Sequence, residues 1–117
     1  MNLQLDLSYL NEISDGDTDF VLSILSTFME EGPKDLQGIR QALDADDLVT
    51  VGKLAHKNKS TLQLFGLYEL KQLALDIEQT AKKDATHPSI APNAEQFIVH
   101  LKEVIPQVEE KMNELES

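Results

Sequence analysis

The chain contains no cysteine, so disulfides, thiolate metal sites and a cysteine nucleophile are all excluded. It also lacks any apolar run approaching the ~18 to 20 residues that a membrane helix needs. The N-terminus has no basic region followed by an apolar stretch, and the expected compartment is the cytoplasm. Positive charge is scarce: 10 Lys+Arg stand against 21 Asp+Glu, for a net charge of -11. A surface that negative repels phosphate backbones and anionic lipid, which argues against nucleic-acid and membrane binding. Aromatics are only 5% of residues, while Leu, Ala, Glu, Lys, Gln and Asp dominate, a composition suited to helices rather than pleated sheet. No P-loop, GxSxG motif or pair of Glu-x-x-His motifs is present. The ligand-type residues of Asp84-Ala85-Thr86-His87 have no second cluster to complete a metal site, so no metal and no cofactor are expected.

What is present is helical periodicity within a length, 117 residues, that suits a single domain over 1–117 with 41% apolar residues for its core. Residues 5–13 can form a short helix showing Leu7, Leu10 and Ile13, broken by Asp15-Gly16-Asp17. Asp17 or Thr18 can cap a helix whose stripe is Phe20, Val21, Ile24, Leu25, Phe28 and Met29; Gly32-Pro33 is expected to end it. Pro33 then opens a helix with Leu36, Ile39 and Leu43, stopped by the acidic cluster Asp44, Asp46 and Asp47. A long helix follows over about 47–65, with Gly66 as a left-handed C-cap. Leu67, Leu70, Leu73, Ala74, Ile77 and Ala81 mark the next, with Lys82 and Lys83 suited to its C-terminus. After a loop over 84–91, apolar spacing from Phe97 to Leu115 marks a final helix that Pro106 should kink. The expectation is an all-α, antiparallel four-helix bundle (up-down-up-down) with additional N-terminal helices.

The segment around His56 carries the chemistry. On a helix at ~100° per residue, Val51, Leu54, Asn58, Leu62 and Phe65 form one side, and His56 points almost directly opposite, towards solvent. Gly52 lies one turn before it and Ser60 one turn after, with Lys53, Lys59 and Gln63 around it. Residues 48–68 hold Lys53, Lys57 and Lys59 and no acid, where about four acids would fall by chance, a local sign reversal consistent with anion handling. Neutral imidazole offers a nucleophilic nitrogen, and an imidazole titrates ordinarily at ~6.5. An ammonium such as that of Lys59 can hold the oxygens of a phosphoryl group.

His56, Lys59 three residues on, the small Ser60 and Thr61, and the closing Phe65-Gly66 together resemble the signature of the histidine-containing phosphotransfer (HPt) family. The likeness runs through the Leu-rich start, the Phe28 helix, the approach from Ala42 to Asp47, and Asp76-Ile77-Glu78. Three positions depart from the pattern: Asn58 stands at a usually apolar position, Ser60 replaces a frequent glycine, and Leu62 replaces a small residue.

The resemblance implies a non-enzymatic phosphorelay intermediate of a multistep two-component system. His56 would accept a phosphoryl group from a receiver-domain aspartate and pass it to another receiver. Lys59 would neutralise the phosphoryl group, and Ser60 would permit close approach. Gly52, Gln63 and Lys53 would lie at the docking surface, and Glu78 would approach the imidazole from the next helix. The implied partners are response-regulator receiver domains and a hybrid sensor histidine kinase; any magnesium belongs to the receiver, and the family expectation is a monomer. Two alternatives remain open from the sequence: an HPt-like docking protein that is never phosphorylated, and the phosphoacceptor domain of a kinase. Lys57 directly after the histidine and the chain length disfavour the kinase domain.

Overall fold

The computed structural model describes residues 1–117 as five helices and no strand: α1 (Ser8–Ile13), α2 (Thr18–Asp44), α3 (Leu48–Leu64), α4 (Tyr68–Lys83) and α5 (Ile90–Glu116). Helices α2 to α5 form an antiparallel ring in which α2 packs on α3, α3 on α4, α4 on α5 and α5 on α2. At 1.5 Å rise, a 27-residue helix such as α2 or α5 is about 40 Å long. These two set the long dimension of the 46 × 22 × 21 Å molecule.

The breaks fall where side-chain chemistry puts them. Asp17 Oδ1 accepts the Phe20 amide N–H at 3.2 Å, and Asp47 Oδ1 accepts that of Thr50 at 3.2 Å, so each carboxylate satisfies a donor that a helix start leaves without a partner. Gly66 ends α3 at φ 72°, and a Cβ there would sit 2.8 Å from the Asp6 Cβ, so both conformation and space require glycine.

Gly32-Pro33 does not end a helix. The buried residues Val21, Leu25, Phe28, Gly32, Asp35, Ile39 and Ala42 lie on one stripe of α2, with alternating spacings of four and three that pass straight through the pair. Pro33 faces solvent and forfeits one backbone bond; burial of apolar surface on both sides of it outweighs that loss. Gly32 is covered by the Phe28 ring, which a Cβ would meet at 3.2 Å, and Phe28 in turn packs edge-to-face on Phe65 at 5.2 Å. Only one helix therefore precedes the four of the bundle.

Smaller corrections have equally local causes. Residues 5–7 stay outside α1 because the Leu5 N–H goes to Gln107 Oε1 and the Asp6 N–H to the Phe65 carbonyl, which straps the N-terminus to α5 and the end of α3. Ile13 and Phe20 are exposed instead of core. The 84–91 loop shortens to 84–89, leaving Pro92 in the first turn of α5, where a missing N–H costs nothing. α5 carries Pro106 on its exposed side and continues beyond it.

Asn58 is buried, as its phase requires, and its Nδ2 donates to the Leu54 carbonyl at 2.9 Å and to Asp35 Oδ2 at 3.3 Å. The second partner makes the amide costly to replace with an apolar side chain, because Asp35 is itself a buried acid. Asn58→Leu should cost about 1 to 3 kcal/mol by stranding a carboxylate oxygen, read as a lower urea midpoint at unchanged m-value. Adding Asp35→Leu should recover part of that loss, and strictly additive costs would refute the coupling.

Candidate functional site

His56 occupies the middle of α3, whose buried residues are Val51, Gly52, Ala55, Asn58 and Leu62. That stripe is rotated from the expected one, with Gly52 and Ala55 inside and Leu54 only half-buried. His56 therefore lies on the flank of α3 that faces α4, with its side chain 53% exposed, and does not point directly away from the core.

The rotation is set by the close approach of α3 to α4 at Gly52. A Cβ on Gly52 would stand 2.8 Å from the Ala81 Cβ, a distance that real side chains do not tolerate. Gly52 thus serves the approach of α3 to α4; it is buried and also lines the groove beside the imidazole. The approach brings Glu78, one turn before Ala81 on α4, against His56: Glu78 Oε1 lies 2.8 Å from His56 Nδ1.

Glu78 is only 6% exposed and collects cations. Lys82 Nζ donates to Oε1 at 3.0 Å, and Lys59 Nζ lies 3.7 Å from Oε2, an oxygen that is buried and accepts no hydrogen bond. Burial pushes the Glu78 carboxyl up, but the hydrogen bonds from Lys82 and His56 and the positive charges nearby outweigh it. The net effect holds the group below its ordinary value of 4.5. With Nδ1 at 2.8 Å from the ionised Glu78 carboxylate, the neutral imidazole is favoured as the tautomer that keeps its proton on Nδ1, facing Glu78, and its lone pair on Nε2. Beside the ring is a groove of approximately 230 Å³ lined by Val49, Gly52, Lys53, His56, Glu78, Ala81 and Lys82.

The sequence-predicted residues divide into three groups. His56, Lys59, Lys53, Gly52 and Glu78 come together at the imidazole or its groove. Ser60 and Gln63 lie further along α3 beside Tyr9 and Leu64, with Gln63 Oε1 accepting a hydrogen bond from Lys71 at 2.6 Å. Lys57, grouped with the other two lysines on charge alone, is on the opposite flank, where its Nζ donates to Asp35 at 2.9 Å and Glu31 at 3.1 Å. His87 Nδ1 accepts the Ser89 N–H in the α4–α5 loop, and the Nδ1 of His100 is buried without a partner. No group of three His, Asp or Glu residues is disposed to hold a metal, and no helix is long and apolar enough to cross a membrane. The residue that sequence reasoning missed is Lys82, whose signal was the Glu78-Lys82 spacing of four on one helix face.

Residues 23–117 match the Hpt domain family. The sensor protein EvgS of Escherichia coli (strain K12) is 28% identical over 92% of this chain, which spans 9% of that protein's length. The crystal structure of histidine-containing phosphotransfer protein B (HptB) from Pseudomonas aeruginosa PAO1 superposes with a TM-score of 0.78 at 20% identity, covering 94% of this chain and 95% of that one.

Gly52→Ala should drive α3 and α4 apart and cost about 1 to 3 kcal/mol of stability. The His56 Nδ1–H resonance should lose the downfield shift of a charge-assisted bond. An unchanged His56 spectrum in a folded Gly52→Ala protein would show that this contact does not position Glu78.

Proposed function

We propose, from the premise that this chain belongs to the Hpt domain family, that His56 is the phosphoacceptor through which it serves histidine phosphotransfer in a phosphorelay. Receiver domains would donate and accept the phosphoryl group, and a hybrid sensor kinase would stand upstream. The observation that supports this most is the half-exposed imidazole whose Nδ1 lies 2.8 Å from a buried carboxylate. Nε2 is left as the nucleophile.

In the forward step the Nε2 lone pair attacks the phosphorus of a receiver aspartyl phosphate. The P–O bond breaks, its electron pair returns to the aspartate carboxylate, and a P–N bond forms. The proton on Nδ1 stays where it is, so the ring becomes a phosphoimidazolium whose positive charge faces Glu78. In the return step the same proton makes the departing imidazole neutral, and so a competent leaving group. Lys59 is placed to neutralise the phosphoryl oxygens. The protein contributes a nucleophile with its immediate electrostatics and acts as a carrier, with no catalytic machinery required of it. As a working description, residues 1–117 act as one such module.

His56→Gln should fold as wild type and accept no phosphate from a phosphorylated receiver, whereas His87→Gln and His100→Gln should both retain acceptance. Phosphohistidine found on the His56→Gln protein would overturn the assignment. A folded wild-type chain that binds receivers and is never phosphorylated would establish the docking-protein alternative instead.

The lysines separate by role. Lys53 faces the groove and forms no ion pair, so Lys53→Ala should slow association with an acidic receiver pocket, with a loss that shrinks as salt rises. Lys59→Ala should slow phosphoryl transfer more than it weakens binding. Transfer rate and receiver affinity, measured across an ionic-strength series, distinguish the two. Salt-independent behaviour of wild type and both variants would remove the electrostatic component.

A further inference from the structure

Glu78 Oε1 is shared. It lies 2.8 Å from His56 Nδ1 and accepts a hydrogen bond from Lys82 Nζ at 3.0 Å, so the ammonium and the imidazole stand within two hydrogen-bond lengths of each other. Lys82 is also the most exposed member of the cluster, at 70%, with a long stem free to rotate. Its pairing with Glu78 joins an exposed ammonium to a buried carboxylate across one helix turn, so it can be given up at little cost when another cation takes over that carboxylate.

We infer that Lys82 is a second phosphoryl-holding residue, supplied by α4, which rests on Glu78 until the phosphoryl group arrives and then exchanges partners. The inference depends on His56 being the phosphoacceptor. Its logic is one of charge. Before transfer, the Glu78 carboxylate has Lys82 at 3.0 Å and Lys59 at 3.7 Å as its counter-ions, and the form of His56 that can attack is the neutral ring. Transfer places about -1.5 to -2 charges on Nε2 and turns the ring into a cation. That cation is already in contact with Glu78 and replaces the lysines as its counter-ion. The lysines are then released to the stronger anion, which carries more charge than one carboxylate and has three oxygens facing the groove that Lys82 already lines. Glu78 thus holds the place of the phosphoryl group in the resting protein and keeps the cations within reach.

The role of Lys82 as a mere helix-terminal charge makes a different prediction, since Lys83, next in sequence and equally at the end of α4, would then do the same. The experiment is the equilibrium constant for phosphoryl exchange with a receiver domain that phosphorylates the wild-type chain, measured by quantifying both phosphoproteins at equilibrium. Lys82→Gln should shift it about two- to fivefold towards phosphoreceiver, the range expected of an exposed ionic contact. Lys82→Arg should restore it, and Lys83→Gln should leave it unchanged. In a Glu78→Gln background, where Lys82 has no carboxylate to leave, the loss on Lys82→Gln should be larger than in wild type. Wild-type equilibrium in Lys82→Gln, or equal losses in Lys82→Gln and Lys83→Gln, would refute the exchange while leaving His56 as phosphoacceptor. Phosphorylation that survives His56→Gln would instead remove the premise. Unfolding curves of the Lys82 variants, expected to match wild type, exclude a folding defect as the cause.

Discussion

The spacing between α3 and α4 governs the site more than any single polar contact does. Where Gly52 faces Ala81 there is no room for even one more methyl group, and that closeness puts the carboxylate of Glu78 at hydrogen-bonding distance from His56. Burying an acid costs free energy unless its charge is answered, and three nitrogen-bearing side chains answer it here. The helix pair therefore does two things at once: it closes the core through Val51, Ala55, Leu70, Ala74 and Ile77, and at its rim it holds an imidazole against a carboxylate. A looser pair would retain most of the apolar burial and lose that contact.

Much of this was legible in the residues. Caps are local chemistry, so Asp17, Asp47 and Gly66 marked boundaries that the structure keeps. The core faces of α2, α4 and α5 followed largely from apolar spacing, and the island without acids identified the strip that carries His56. What escaped depended on partners remote in sequence. Gly32-Pro33 is read as a stop on local preference, yet the stripe it interrupts is completed by Gly32 and Asp35, two residues that no hydropathy pattern counts as core. Lys57 and Lys59 look equivalent on charge and spacing; one is bound by carboxylates of α2 and the other faces Glu78 of α4. The phase of α3 was misjudged for a related reason, since weighting by side-chain size ignores a glycine buried against the Ala81 methyl group of α4.

The departure at position 58 has a structural answer. An amide in place of an apolar side chain is matched by Asp35, and Asp35 by Lys57, giving a chain of polar contacts through the α2–α3 seam. With Glu78 on the other flank, α3 is tied by charge on both sides to different helices. Such pairings contribute modestly to stability, and their larger effect is on rotation: a turn of α3 about its axis would break both sets together.

If His56 carries the phosphoryl group as proposed, its position on the flank of a rod, partway along its length, sets the traffic that the chain can bear. A specific protein contact covers ~800 Å² per partner, which is a small part of the 6464 Å² surface here, yet any contact that reaches Nε2 must cover the same patch. Donor and acceptor then compete for one berth and cannot form a queue on the surface. Each visit must end before the next begins, and throughput is capped by how quickly the spent partner leaves. Tight binding on this flank would be a handicap, and the ends of the rod, remote from the berth, remain available for attachment to other chain segments without obstructing it.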